Sequence, residues 1–199
     1  LVTIGIWRPV ELICIDRAYI REPWIRTVSL NLKSKSQPTA KMEATVPVET
    51  LKTHGPLTVS LEVEGKEIGR VSLPAKKGVY EAAFKWDVKN PRLWWPNGSG
   101  EPYLYSYQVH VVSNDGVVLD ECSGNFGIRT VTLDRSLTKD GGHNFKFTVN
   151  GHEIFMRGWN WTPPDAIFAR ISQERRMQLL LLARDSGANM LRVWGGGIY

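Results

Sequence analysis

From Trp24 to about Phe126 the chain is a succession of short runs in which apolar and polar residues alternate with period two. Val28-Ser29-Leu30-Asn31-Leu32, Leu57-Thr58-Val59-Ser60-Leu61-Glu62-Val63 and Tyr103-Leu104-Tyr105-Ser106-Tyr107-Gln108-Val109 are the clearest. Period two sends neighbouring side chains to opposite faces of a strand, so these runs are half-buried strands and not helices. Glu64-Gly65-Lys66 and Asn114-Asp115-Gly116 supply hairpin turns between them.

About seven strands at this spacing predict an antiparallel β-sandwich of immunoglobulin-like size, with Leu57, Val59, Leu61 and Val63 among its core residues. The chain lacks a Cys–Trp–Cys pattern, so the likeness is one of architecture. Residues 1–15 read as one further strand after Gly5, carrying Trp7, Val10, Leu12 and Cys14, and Asp16 to Glu22 as a polar link. Asn90-Pro91-Arg92-Leu93-Trp94-Trp95-Pro96-Asn97-Gly98-Ser99-Gly100 is a loop, forced by its prolines and glycines. Its paired indoles either anchor the loop to the sandwich or stack on sugar rings, and anchoring is the commoner fate. Asn97-Gly98-Ser99 also fits an N-glycosylation triplet.

After Phe126 the pattern changes. Phe145 to Val149 alternates, Asn150-Gly151 is a type I′ hairpin signal, and a strand resumes at Glu153-Ile154-Phe155-Met156. Gly158-Trp159-Asn160-Trp161-Thr162-Pro163-Pro164-Asp165 reads as a loop. Ser172 N-caps a helix over Gln173 to Ser186, Glu174 sits in its first turn, and Gly187 stops it. Met177, Leu180, Leu181 and Ala188 lie along one side of that helix, widened by Leu179 and Leu182. Asn189 to Trp194 is a second buried strand.

Strand, loop, helix, turn and strand make a βαβ unit. A closed eight-fold barrel needs about 250 residues, so residues 131–199 are read as the first βα units of a truncated (β/α)8 barrel. A doubly wound sheet is the alternative, but no Gly-rich phosphate turn follows its first strand. The fold class is thus mainly β: residues 1–15 a last strand of a preceding domain, 16–130 the sandwich, 131–199 the barrel start. The chain begins Leu1-Val2-Thr3-Ile4 without Met or signal peptide and stops at Gly195-Gly196-Gly197-Ile198-Tyr199 inside a loop. It reads as an internal piece of a larger protein, which leaves localisation unknown.

Lys plus Arg number 25 and Asp plus Glu 20, a net charge of +5. The basic residues alternate with acids, as in Glu62-Val63-Glu64-Gly65-Lys66-Glu67, and the densest spots, Lys33-Ser34-Lys35 and Lys76-Lys77, fall in turns. That is no nucleic-acid footprint. The longest apolar run, Leu179 to Ala183, is far short of the ~20 residues that span a bilayer, so no membrane partner is expected. His54, His110, His143 and His152 lack ligand spacing, His152 falling in the hairpin turn, and Cys14 and Cys122 are too few for a zinc site. No metal and no cofactor are expected.

Sites in such barrels form at the C-terminal ends of the strands. Trp159, Asn160, Trp161 and Asp165 follow the first strand; Arg192, Trp194 and Gly195-Gly196-Gly197 end the second. Aromatic faces, an amide, a guanidinium and a carboxylate suit a carbohydrate, whose apolar ring face packs on indole while polar groups take its hydroxyls. Eight tryptophans in 199 residues fit this reading. The competing reading has the same side chains filling a barrel core. A glycosidase needs two carboxyl groups about the scissile bond, and only Asp165 is in place.

These residues resemble glycoside hydrolase family 2. Gly5-Ile6-Trp7-Arg8-Pro9-Val10-Glu11-Leu12 is similar to the closing strand of its N-terminal sugar-binding jelly roll. Asn90-Pro91-x-Leu93-Trp94-Trp95-Pro96-x-Gly98-x-Gly100-x-Pro102-x-Leu104-Tyr105 resembles its immunoglobulin-like domain. Phe126-Gly127-Ile128-Arg129-Thr130-Val131 and Phe147-x-Val149-Asn150-Gly151-x-x-Ile154-Phe155-x-Arg157-Gly158 resemble the exit from that domain and the start of the barrel. Asn160-Trp161-x-Pro163-x-Asp165 with Asn189-x-Leu191-Arg192-Val193-Trp194-Gly195-Gly196-Gly197-Ile198-Tyr199 is similar to the β-mannosidase branch.

The resemblance implies retaining hydrolysis of terminal non-reducing β-mannosyl residues, with an acid/base Glu and a nucleophile Glu that both lie outside residues 1–199, so that this chain alone is inactive. It implies substrate-binding roles for Trp194 as a wall of the mannose subsite, Arg192 as support for the carboxylates, and Asn160, Trp161 and Asp165 as the pocket floor. A β-mannoside is the implied partner. Self-association through the exposed barrel piece is a further expectation. The alternatives are an exo-β-glucosaminidase of the same family and a non-catalytic sandwich that binds protein or glycan.

Overall fold

The computed structural model describes residues 6, 9–32, 37–51 and 55–195. Trp7 and Gly5 of the leading strand, the Lys33–Lys35 turn, His54 and Gly196–Tyr199 lie outside the described residues.

Residues 18–126 form eight strands, seven of them in the alternating region: β1 (Ala18–Ile20), β2 (Trp24–Asn31), β3 (Thr39–Thr50), β4 (Leu57–Val63), β5 (Lys66–Leu73), β6 (Gly78–Lys89), β7 (Tyr105–Ser113) and β8 (Val118–Phe126). In one sheet β3 is central, with β6 along one side and β2 and β1 end to end along the other; the second sheet runs β5-β4-β7-β8. All these pairings are antiparallel. The inner faces of both sheets share one apolar core: Ala40, Met42, Ala44, Val46 and Val48 of β3 meet Leu57, Val59 and Leu61 of β4 and Val109 and Val111 of β7. Burial follows the period-two reading residue by residue along β4. The chain is mainly β, and this part of it is a two-sheet sandwich.

The Glu64-Gly65 turn adopts φ values of 51° and 70°, the double positive φ of a two-residue hairpin. Two expectations fail here. Residues 9–15 form no strand; Val10, Leu12 and Ile13 are exposed because no neighbouring strand among the described residues offers them a ladder. Within the supposed link, Ala18–Ile20 pairs with Val48–Thr50, three residues being too short a run to show alternation.

Beyond the sandwich, β9 (Val131–Asp134), β10 (Lys146–Val149) and β11 (His152–Ile154) form an antiparallel three-stranded sheet in the order β11-β10-β9. Asn150 and Gly151 turn it with φ of 51° and 81°. His152 belongs to β11, opposite Val149, and not to the turn itself. Next come β12 (Gly158–Trp161), a 3₁₀ turn at Phe168–Arg170, α1 (Gln173–Asp185) and β13 (Met190–Val193). β12 and β13 pair in parallel, so β12-α1-β13 is a βαβ unit.

Its first strand is not the expected one. Glu153 and Ile154 pair antiparallel with β10, and the stretch read as a loop, Gly158–Trp161, is the parallel strand. Alternating aromatics favour the strand, and Pro163-Pro164 ends it. Gly158 is required where it stands: a Cβ there would lie 1.7 Å from the Met190 carbonyl oxygen.

Ser172 caps α1, its Oγ accepting the Arg175 N–H at 3.1 Å, and Gly187 leaves the helix at φ 83°. Leu179, Leu182 and Ala183 line the groove against the strands, with Leu182 still exposed, whereas Met177, Leu180 and Leu181 do not line it and are exposed as well. At 100° per residue Met177 and Leu181 lie on the opposite side of the helix and Leu180 on its flank. A helix with apolar residues on both sides has no single inner face for its sequence to announce. No helix among the described residues is long and apolar enough to cross a membrane. Cys14 and Cys122 are both free thiols, and burial pushes the Cys122 thiol up.

Candidate functional site

The parallel pairing sets Asn160 beside Arg192, Trp159 beside Leu191, and Trp161 beside Val193. Strand alternation then sorts these side chains onto two faces. Arg192 donates from Nη1 to Asn160 Oδ1 at 3.3 Å, which fixes both on one face. Trp159 donates from Nε1 to Ser186 Oγ at 3.1 Å, at the end of α1, which fixes it on the other. Trp161 shares the Trp159 face and, with Leu179, Leu182, Ala183 and Leu191, lines a groove of about 590 Å³ against the helix.

Trp194 continues the pairing beyond β13, its N–H donating to the Trp161 carbonyl at 3.0 Å. Its alternation returns it to the side of Asn160 and Arg192, and it is half exposed. Asp165 stands apart in the loop after Pro164, its Oδ1 accepting the Ile167 N–H at 2.7 Å. The five residues named as substrate-binding thus do not all lie on one side of the strand pair. Asn160 and Arg192 are hydrogen-bonded to each other, and alternation puts Trp194 on their side; Trp161 lies on the helix side; Asp165 is engaged within its own loop.

The chemistry open to the three is set by their atoms. Asn160 Nδ2 and the remaining guanidinium N–H groups have no partner among the described residues, so the pair presents donors in a fixed orientation beside an exposed indole. That is a surface for hydroxyl groups and an apolar ring face. Among the described residues no group of three or more His, Cys, Asp or Glu is placed to hold a metal ion.

The family model for glycosyl hydrolases family 2 matches residues 18–129, more than half the chain. The chain belongs to glycosyl hydrolases family 2. It is 34% identical to beta-mannosidase B of Aspergillus terreus over 199 residues, all of this chain and 22% of that protein. Beta-mannosidase B of Aspergillus fumigatus is 36% identical over 201 residues, with 23% of its length covered. Among solved structures, the β-D-mannosidase of Dictyoglomus thermophilum superposes with a TM-score of 0.81 at 33% identity, over 93% of this chain and 22% of that one. The chain thus spans less than a quarter of the length of these relatives.

In this family 2 chain the loop between β6 and β7 ties the sandwich to the rest. Trp94 donates to the Ile128 carbonyl at 3.0 Å and is covered by the Arg129 guanidinium, 4.2 Å from the ring centre. Asn150, 1% exposed, donates from Nδ2 to the Trp94 carbonyl at 2.9 Å and accepts the Thr130 N–H at 3.0 Å. Trp95 meets the His152 ring edge-on at 5.3 Å. The paired indoles anchor the loop, as their commoner fate requires. The periodicity of the sequence flagged neither Asn150 beyond its turn nor Asn97, whose Nδ2 reaches the Arg184 and Ala188 carbonyls at 2.9 and 3.0 Å. Both act across 56 to 91 residues of chain, a distance at which local pattern carries no signal.

Proposed function

We propose that this chain is part of a retaining β-mannosidase that removes terminal non-reducing β-D-mannose residues. In this reading residues 16–130 are an immunoglobulin-like buttress and residues 131–199 open a (β/α)8 barrel whose interior lies on the Asn160–Arg192 side, with α1 outside. Residues 1–15, whose described part forms no strand here, take one up against the strands of a preceding jelly roll. The observation that carries the reading is the Arg192–Asn160 hydrogen bond beside the half-exposed Trp194, at the C-terminal end of parallel strands, in a chain akin to β-mannosidases along its whole length.

Each residue has a distinct task. The Trp194 indole packs the apolar face of the pyranose. Asn160 and Arg192 take its hydroxyls, and their mutual bond holds both rotamers ready before the sugar arrives. Trp161 packs the strand to α1 and acts through position. Asp165, engaged by the Ile167 N–H, holds the loop that borders the floor. The two carboxyl groups that glycoside cleavage demands come from outside this chain, so the 199 residues alone turn over no substrate. No cofactor takes part. The grip helps by holding the ring in a distorted shape, an effect of about 1–5 kcal/mol.

The test is hydrolysis by the full-length protein of nitrophenyl β-mannoside against the β-galactoside and β-glucosaminide. Mannoside is the expected best substrate; preference for the glucosaminide overturns the assignment. An exo-chitosanase of Amycolatopsis orientalis shares the fold at a TM-score of 0.73 and 24% identity, so the choice between sugars belongs to this assay. Trp194→Ala lowers kcat/KM for the mannoside by roughly 10- to 100-fold, and a wild-type rate in that variant removes Trp194 from the site.

A further inference from the structure

The β6–β7 loop does more than anchor itself. Its tip, Pro96 to Ser99, is a turn closed by the Ser99 N–H donating to the Pro96 carbonyl at 3.0 Å, with Gly98 at φ 77° as the type II geometry demands. The tip is stiffened from below by the Trp95 N–H bond to the Glu101 carbonyl, 3.1 Å, and by the Trp94–Pro102 bridge. From it Asn97 projects an amide whose Nδ2 donates to the Arg184 and Ala188 carbonyls. The first belongs to the last turn of α1, and the same carbonyl also accepts the Gly187 N–H at 2.9 Å. The second leads directly into β13.

The chain just past Ala188 is pinned in turn. Asn189 donates its N–H to the Arg157 carbonyl at 2.9 Å and its Nδ2 to the Phe155 carbonyl at 3.0 Å, and its Oδ1 accepts the Arg157 N–H at 2.9 Å. Arg157 Nε donates to the Gly187 carbonyl at 2.9 Å. Three residues after Asn189 stands Arg192. A residue of the β6–β7 loop is therefore hydrogen-bonded to the chain segment that runs, three residues past Asn189, into Arg192.

We infer that Asn97 is a positioning residue: it holds the end of α1 and the start of β13 at the depth where Arg192 meets Asn160. The inference rests on the sugar-gripping role proposed for that pair. It assigns the loop a part in the reaction, although no atom of it touches the substrate. Asn97 serves here as a donor and not as a turn-former. An Asp at the same place keeps the shape and the turn but loses both N–H groups and sets a negative charge against two carbonyl oxygens at the negative end of a helix.

The test pairs two measurements. In the 199-residue chain, Asn97→Asp speeds amide exchange at Gly187–Asn189 and across β13, the Trp194 N–H included, by about tenfold, as loss of one to two hydrogen bonds predicts. Exchange in β3, β4 and β7 stays as in the wild type. In the full-length protein the same substitution lowers kcat on nitrophenyl β-mannoside about tenfold, with little change in KM, and Asn97→Gln, which keeps both donors, recovers most of the rate. Unchanged β13 exchange overturns the inference, as does faster exchange with an unchanged kcat. Arg192→Ala, run beside them, separates the two failures. If it lowers the rate and Asn97→Asp does not, only the positioning role falls; if Arg192→Ala leaves the rate intact, the sugar site itself is misplaced.

Discussion

The sandwich and the βαβ unit are built from equally apolar elements and end in opposite states. Along β3 and β4 every second residue is buried, and Ala40, Ala44, Val46, Val48, Val59 and Leu61 are wholly so. In α1, with four consecutive leucines, no residue is buried. The difference lies in the layers. Each sheet of the sandwich finds its opposite within the chain, whereas among the described residues α1 finds only a two-stranded ribbon beneath one side. An apolar face is a core only when a second layer covers it. Leu180, Leu181 and Met177 stand exposed on the sides of α1 that the ribbon does not cover.

The comparison can be broken most severely by trimming one leucine in each region. Leu61→Ala, at a fully buried position, costs about 2–5 kcal/mol in denaturant unfolding. Leu181→Ala, 38% exposed, costs no more than about 0.5 kcal/mol. Equal losses would mean that α1 has a covering layer in solution, as a second copy of the chain would provide, and light scattering would then show the dimer.

Next in size is the joint between the regions. Asn150→Ala strands the Thr130 N–H and the Trp94 carbonyl and should cost about 1–3 kcal/mol. Asn150→Gly, which relieves the positive φ, isolates the side-chain share; a thermal melt that moves for Ala but not for Gly would make the joint a matter of backbone alone. A smaller contrast is kinetic. Trypsin should cut first after Arg175, Arg176 or Arg184, with the sandwich intact, and early cuts within β2 to β8 would reverse the ranking of the two regions.

The smallest effect is acid. Hydrogen bonds from Arg21 and Tyr19 hold the Glu49 carboxyl below its ordinary value, and Arg26 does the same for Glu43. A carboxyl whose folded pKa is lowered lends stability above its unfolded pKa, and that stability is lost as pH falls below about 4.5. Both pairs join β3 to its neighbours, so the sandwich transition should drift down between pH 5 and pH 3. Exposed ion pairs keep the drift small. Glu49→Gln should flatten part of it, and an unchanged slope would remove the pair from the account.

Strand by strand, the sandwich was readable because a period of two needs only a few residues to declare itself and because Glu64-Gly65 permits little but a tight turn, as Asn150-Gly151 does in the sheet that follows. The helix was bounded correctly by Ser172 and Gly187 for similar local reasons. Its working face was not, since leucines at 179 to 182 point around more than half the cylinder. Gly158–Trp161 passed for a loop: four residues before two prolines give no window in which alternation can be told from chance. Of the proposed sugar contacts, the chain order of Asn160, Arg192 and Trp194 was informative once two parallel strands were assumed. The turning away of Trp161 was not, for facing depends on where a strand begins. Asn97 and Asn150 act through carbonyls far along the chain, and a carbonyl has no letter in a sequence.

One consequence of the Asn97 amide reaches outside the reaction. An N-linked oligosaccharide is attached through that very nitrogen, and both of its hydrogens are already held by α1 and the approach to β13. Glycosylation would replace one of those hydrogens and so break at least one of the two bonds. A chain made in a compartment with the transferase would have to escape modification at Asn97 or carry a glycan wedged between its two halves.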